Sequence, residues 1–154
     1  MKQTKQKSHI TIVTGTPGTG KTTIATAIAM QTNAVYIDVN KMIKEEKLST
    51  SYDKKRKAKV VDTKKLNKIL IQTIKEAKKK GIPLVIDSHL SHYLAAKYVD
   101  LCIVTKTNLK KLKGRLKKRR YNQEKIRENM DCEIFDVCLM EAKELGHKIK
   151  IVET

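Results

Sequence analysis

This sequence predicts an α/β fold, a parallel sheet with helices on both faces, and three observations predict it. Short apolar, β-branched runs alternate with helical patterns along the chain. The first run leads directly into Gly15-Thr16-Pro17-Gly18-Thr19-Gly20-Lys21-Thr22, a glycine-rich loop of the phosphate-binding kind. A later run, Leu84-Val85-Ile86, ends in Asp87. Together these describe a P-loop NTPase with five parallel strands, and the 154 residues suit one domain spanning 1–154.

Met1 to Lys7 is polar and basic with no apolar stretch behind it, so residues 1–8 read as a disordered basic arm and not as a signal peptide. Ile10–Val13 is a short run fit for a buried parallel strand. The loop follows, and Thr22 to Thr32 continues as a helix. Ala34–Ile37 reads as the second strand. Residues 41–61 then break the rhythm, being polar and basic with little apolar content. Leu66, Ile69, Leu70 and Ile74 recur at helical spacing, with Asp62 or Thr63 as N-cap and Gly81 as stop. Leu84–Ile86, Leu101–Val104 and Ile149–Val152 supply the remaining strands. Leu109, Leu112 and Leu116 mark one helix between them. Ile126, Met130, Ile134, Val137, Cys138 and Leu145 mark a longer one, closed by Gly146. Residues 117–123 form a basic connection between those two helices. In a small phosphoryl-transfer enzyme, 41–61 and 117–123 are natural places for an acceptor-binding flap and a lid. The chain shows no internal repeat and no second domain.

Composition narrows the class. With 40% hydrophobic residues, no Trp and one Phe, the core must be aliphatic. No apolar run approaches the ~18 residues of a membrane span. Cys102, Cys132 and Cys138 form no C-x-x-C pair; an odd number of scattered thiols fits packing roles in a reducing, cytoplasmic setting. The net charge is +18, with lysines clustered at Lys54 to Lys59, Lys78 to Lys80 and Lys110 to Arg120. Two readings of that charge stand: an anionic partner such as RNA, or a lysine-rich soluble surface. Aromatics are scarce, so any RNA contact is expected at phosphates and shape.

The loop chemistry is specific. Gly15, Gly18 and Gly20 allow backbone N–H groups to converge on phosphate oxygens. Lys21 brings a cation to the β- and γ-phosphates of a nucleotide, and Thr22, at the helix start, offers a hydroxyl to Mg²⁺. Asp87 at a strand end can hold the same ion, directly or through water. His89 could position a water or sense the γ-phosphate, although local chemistry alone suits a hydrogen-bonded turn histidine better. His92 makes H-x-x-H with His89, but no Cys or acid completes a zinc set. His9 and His147 read as structural or exposed. Arg115, Arg119 and Arg120 could stabilise the charge of a moving phosphoryl group, or could be a solvated helix end; both readings stay open.

These motifs together resemble the short adenylate kinases of the adenylate kinase isoenzyme 6 type. The resemblance rests on Gly15–Thr23, on Asp87-Ser88-His89, on R-L-K-K-R-R-Y-N at Arg115–Asn122, on K-I-R-E-N at Lys125–Asn129 and on C-E-I-F at Cys132–Phe135. Tyr52-Asp53 and Val60–Asp62 are similar to the family's acceptor region. It implies Mg²⁺-dependent transfer of the ATP γ-phosphate to a nucleoside monophosphate, AMP above all, with ATP hydrolysis as a second activity. It implies that residues 15–23, including Pro17, Thr19 and Thr23, hold ATP. It implies that Asp87 and His89 act as a pair beside the Mg²⁺, that Arg115 and Arg119 serve the lid, and that Lys44, Tyr52 and Asp62 serve the acceptor. It also implies a small-subunit ribosomal protein and ribosomal RNA as partners.

The chain departs from the family pattern in places. Lys44 stands where the family has an acceptor arginine, keeping the charge but not the bidentate fork. Arg120 replaces a lid glycine, and Ser88 and Leu90 flank His89 where the family has Tyr and Gly. Relatives continue past this point with an adenine-contacting loop and a helix; were Thr154 the natural end, the adenine pocket would be incomplete and one sheet face less covered. An ATP-switched ribosome assembly factor with little kinase activity is the alternative function. A small kinase for shikimate or a nucleoside is disfavoured, because the motifs for those acceptors are missing.

Overall fold

The computed structural model describes residues 8–53 and 58–154, leaving the side chains of 52–59 outside the description. The expected arm at 1–7 lies outside the described residues; Ser8 lies inside them and donates its hydroxyl to the Ile82 carbonyl. The elements run β1 (Ile10–Gly15), α1 (Lys21–Thr32), β2 (Val35–Asp38), α2 (Val39–Glu45), β3 (Ser49–Asp53), β4 (Ala58–Val61) and α3 (Thr63–Lys80). They continue with β5 (Leu84–Asp87), β6 (Leu101–Lys106), α4 (Leu109–Lys118), α5 (Gln123–Ile134), α6 (Val137–Glu144) and β7 (Ile149–Glu153). The five expected strands form one sheet in the order β2-β5-β1-β6-β7, and every pairing in it is parallel. Each strand runs one or two residues past its apolar run, because parallel pairing is made by backbone and persists into polar ends. Val13 pairs with Asp87, Asp38 also with Asp87, and Gly15 with Thr105. That register gathers the polar strand ends at one edge, beside the loop.

Alternation along the strands divides the core in two. Val13, Val85 and Ile103 meet Ala25 and Ala29 of α1 on one face. Ile10, Ile12, Ile86 and Val104 meet Leu66, Leu70 and Ile74 of α3 and Leu139 and Ala142 of α6 on the other. The core is aliphatic as expected; the single Phe, Phe135, is 71% exposed. Asp62 caps α3 by accepting from the Lys65 amide (3.1 Å), and Gly81 ends it in the left-handed region. Asn108 and Asn122 cap α4 and α5 in the same way.

Two expectations need correction. Residues 41–61 are more structured than their polarity suggests. Val39 and Ile43 are buried on α2, and β3 and β4 pair as an antiparallel hairpin that starts beside the buried Leu48. The long helix through Ile126 and Leu145 is in fact two, α5 and α6, parted at Phe135 and Asp136. Asp136 takes φ +51°, and its carboxylate and that of Glu133 both receive the Lys106 ammonium from β6. The apolar spacing continues across the break, which hides it, because the ion pairs that hold the break come from a distant strand. Ile134, beside the break, is left 51% exposed.

Arg120 follows the last turn of α4 with φ +57°, and its amide donates to the Lys117 carbonyl (2.9 Å). A Cβ is disfavoured in that conformation and a glycine is not. Arg120→Gly is therefore expected to raise stability by about 0.5–1 kcal/mol, read from the urea midpoint at unchanged slope.

Candidate functional site

A cleft of about 820 Å³ opens at the carboxyl ends of the strands, with the glycine-rich loop as one wall. Gly15 has φ +148°, and a Cβ there would stand 2.3 Å from the Thr105 hydroxyl, so β1 and β6 close beneath the loop only because Gly15 lacks one. Thr19 turns its hydroxyl down into this floor, against the Thr16 carbonyl (2.6 Å) and the Thr105 hydroxyl (2.7 Å). Gly15 and Thr19 thus build the floor, while Pro17, Gly18, Gly20, Lys21, Thr22 and Thr23 line the cleft. Gly20, at φ +83°, begins α1 with no side-chain cap. The amides of the first turn are left facing an opening, the arrangement that suits an anion.

The cations and carboxylate of the site are placed by tertiary contacts. Lys21 reaches back to the carbonyls of Gly15 (3.1 Å) and Thr16 (3.2 Å). Burial lowers its pKa to about 8, against the opposing pull of Asp87, so the ammonium lacks the countercharge that a phosphate would bring. Asp87 is buried at the end of β5. Its Oδ2 accepts from the Thr22 hydroxyl (2.8 Å) and from the Tyr36 phenol (2.7 Å). Burial, and then the bond to Asp87, pushes the Tyr36 pKa well up, so the phenol remains a donor. The Thr22 proton is thereby committed, and the lone pairs of its oxygen and the second oxygen of Asp87 are left for a hard cation. Among the described residues no group of three or more His, Cys, Asp or Glu side chains could cage a metal. The donor set fits Mg²⁺, which keeps waters and phosphate oxygens as its other ligands.

His89 lines the same cleft beside Lys21, with its ring in contact with solvent. Crowding by the walls, then the charges of Lys21 and His92, lowers its pKa to about 4, which leaves it neutral near pH 7. Arg119, the C-cap of α4, lines the cleft, and its charge reaches Lys21. Arg115 does not line it. Its Nη1 donates to the Gly18 carbonyl (3.2 Å) and to the hydroxyls of Thr107 (3.1 Å) and Thr154 (3.0 Å), tying α4 to the back of the loop. Lys44, in the last turn of α2, lines the opposite wall with Asn40 and Ile43. Asp62 is spent as a helix cap, and the wall there is Val61. Tyr52 lies on β3 opposite Lys59, and its side chain falls outside the described residues.

Sequence reasoning missed several members. Tyr36 carried only one signal, a polar-tipped side chain two residues before the end of its strand. Cys132 and Cys138, read as packing residues, line the cleft. His92 is no metal ligand. Its Nε2–H donates to the Glu141 carboxylate (2.6 Å), and its Nδ1 accepts from the Thr14 hydroxyl (2.7 Å). Burial lowers the His92 pKa against the pull of Glu141, in keeping with this neutral form. Burial raises the Glu141 pKa, but bonds from Tyr93 and His92 outweigh it and hold the group ionised. His147, also buried, donates to the His92 carbonyl (2.8 Å), a structural role as expected. His9 is exposed and pairs with the Thr11 hydroxyl.

Comparison with known proteins agrees with this geometry. A family model described as an AAA domain matches residues 11–136. The adenylate kinase isoenzyme 6 homolog of Dictyostelium discoideum is 38% identical over 141 residues, covering 92% of this chain and 77% of that one. The homolog of the same name in Caenorhabditis elegans is 34% identical over 142 residues, covering 92% and 76%. A shikimate kinase from Acinetobacter baumannii, solved with shikimate, superposes with a TM-score of 0.64 over 97% of this chain and 86% of its own; at 11% identity it shows the fold alone. The chain belongs to the adenylate kinase isoenzyme 6 family, and it is a P-loop phosphotransferase. No helix among the described residues is long and apolar enough to cross a membrane.

The His92 bridge joins the strand entering the loop to α6 through fully engaged nitrogens. His92→Leu removes one contact of Glu141 and leaves the buried Thr14 hydroxyl only its longer bond to the His89 carbonyl (3.4 Å), and should cost about 1–3 kcal/mol in chemical denaturation.

Proposed function

We propose that this member of the family is an Mg²⁺-dependent nucleoside monophosphate kinase that transfers the γ-phosphoryl group of ATP to AMP, forming two ADP. One observation carries the reading. The uncapped start of α1, Lys21, the Thr22–Asp87 pair, Arg119 and Lys44 all face one cleft, with cations on both walls. The loop amides and Lys21 hold the ATP phosphates. Thr22 and Asp87 hold Mg²⁺, which when bound neutralises charge on the phosphate oxygens. Lys44 steadies the acceptor phosphate, whose oxygen attacks in line as the bond to the ADP oxygen breaks. Arg119 and Lys21 stabilise the charge spread over the moving group. Arg115 acts behind them by fixing the loop carbonyl at Gly18. Neutral His89 can donate or accept a hydrogen bond at the mouth, including one to water, and so also supports ATP hydrolysis. Residues 117–123, as a lid, and 41–61, as an acceptor flap, would exclude water when closed.

A second reading is favoured by the charge. From Leu101 to Gln123 the chain carries no acidic residue, and α4 exposes Lys110, Lys111, Lys113, Lys117 and Lys118. This supports an ATP-switched role in small-subunit assembly, with a ribosomal protein and rRNA as partners. A coupled assay across the four monophosphates, with and without a purified small-subunit ribosomal protein, separates the two. Rapid AMP turnover by the chain alone favours the kinase. Slow turnover with ATP hydrolysis raised by the protein favours the switch, and RNA binding should then fall steeply with salt.

Lys21→Met should lower ADP formation from ATP and AMP by about 10²–10³-fold; an unchanged rate removes Lys21 from the mechanism. Lys44→Arg restores the planar fork and should lower the AMP KM by about 3–10-fold with little change in the ATP KM, measured by varying each substrate at saturating concentrations of the other.

A further inference from the structure

We infer that Tyr36 is a positioning residue that holds the Asp87 carboxylate in the orientation a nucleotide-borne cation needs. The inference rests on the reading of Asp87 as a magnesium-binding group and adds to it a residue that no motif contains. Asp87 is only 7% exposed, and both donors to it converge on the same atom, Oδ2. Oδ1 receives no hydrogen bond among the described residues, and it is not sealed from the surface, because the two sealed, unpaired side-chain atoms are Glu133 Oε2 and His147 Nδ1. One oxygen is therefore saturated and the other opens toward the cleft that Asp87 lines.

Thr22 alone cannot set this orientation. A carboxylate held at its tip by one hydroxyl can still pivot about the final side-chain torsion, and that hydroxyl itself sits where the cation would draw it. Tyr36 approaches from a different element, so the two donors together remove the pivot. The sheet register explains why a tyrosine serves. Asp38 pairs with Asp87 and Tyr36 with Val85, so Tyr36 starts two residues behind the carboxylate on the neighbouring strand. That offset is about 6–7 Å of strand, a span a phenol crosses and a serine or threonine hydroxyl does not. The ring packs against the cluster of Val13, Ala25 and Val85, so the donor is held before any ligand arrives.

The test uses the full chain and compares wild type, Tyr36→Phe and Asp87→Asn. Calorimetry measures the affinity for a non-hydrolysable ATP analogue with excess Mg²⁺ and with chelator, and the Mg²⁺ concentration for half-maximal ADP formation is measured alongside. For Tyr36→Phe, affinity in chelator should stay within about twofold of wild type, while the gain in affinity from Mg²⁺ shrinks about 3–10-fold and the half-maximal Mg²⁺ concentration rises by a similar factor. A wild-type magnesium gain in Tyr36→Phe, alongside a reduced gain in Asp87→Asn, overturns the role of Tyr36 alone. Equal losses with and without Mg²⁺ in Tyr36→Phe also overturn it, and make the residue a packing element. A full magnesium gain in Asp87→Asn overturns the reading of Asp87, and the positioning role with it. Should Tyr36→Phe fold poorly, Tyr36→Met keeps apolar bulk without a donor and is held to the same outcomes.

Discussion

The architecture of the site depends on one close approach. β1 and β6 lie side by side in parallel, and at Gly15 their backbones and the Thr105 side chain leave no room for a Cβ. The chain can therefore leave the sheet sharply, turn over Thr19 and enter α1 with its amides forward. Thr105 fills the floor with hydrogen bonds to Thr19 and to the Thr14 carbonyl, so the loop rests on a fully engaged polar layer. Arg115 fastens the same loop from behind through Gly18. A loop held in this way needs little reorganisation when an anion arrives, which is the main requirement of electrostatic stabilisation.

The charges follow from that support. Lys21 is drawn into a half-buried position against two carbonyls, so it is a cation kept at some cost and made whole by a phosphate. Asp87 is treated in the opposite way, its charge anchored by two hydroxyls from different elements. The result is a cleft in which the carboxylate beside the loop is firmly held among several cations. An adenylate-type kinase, which must bring two negatively charged nucleotides together, has that need. The positive surface of α4 extends the same field beyond the cleft.

The second wall is built by longer-range bonds. Lys106 on β6 takes Glu133 and Asp136 and thereby divides what would be one helix, and this sets α6 at the angle that brings Glu141 to His92. His92 in turn grips Thr14, the residue before the loop. The wall carrying Cys132 and Cys138 is thus fastened to the strand that carries the phosphate-binding turn. One departure from the sequence reading lies here, in an element whose local pattern continues smoothly through a break.

The sequence by itself determined the parts whose physics is local. Apolar runs set the five strands, spacing and Asp62 set α3, and the order of glycines, lysine and threonine set the loop, because backbone freedom and helix capping act within a few residues. Asp87 was legible for the same reason, as a strand end. The tertiary structure alone decided which atoms meet: that Tyr36 and Thr22 share one oxygen of Asp87, that Arg115 serves the loop from behind while Arg119 faces the cleft, and that His92 joins Thr14 to Glu141. Those contacts join residues from separate strands and helices, and no spacing rule reaches across the packing that brings them together.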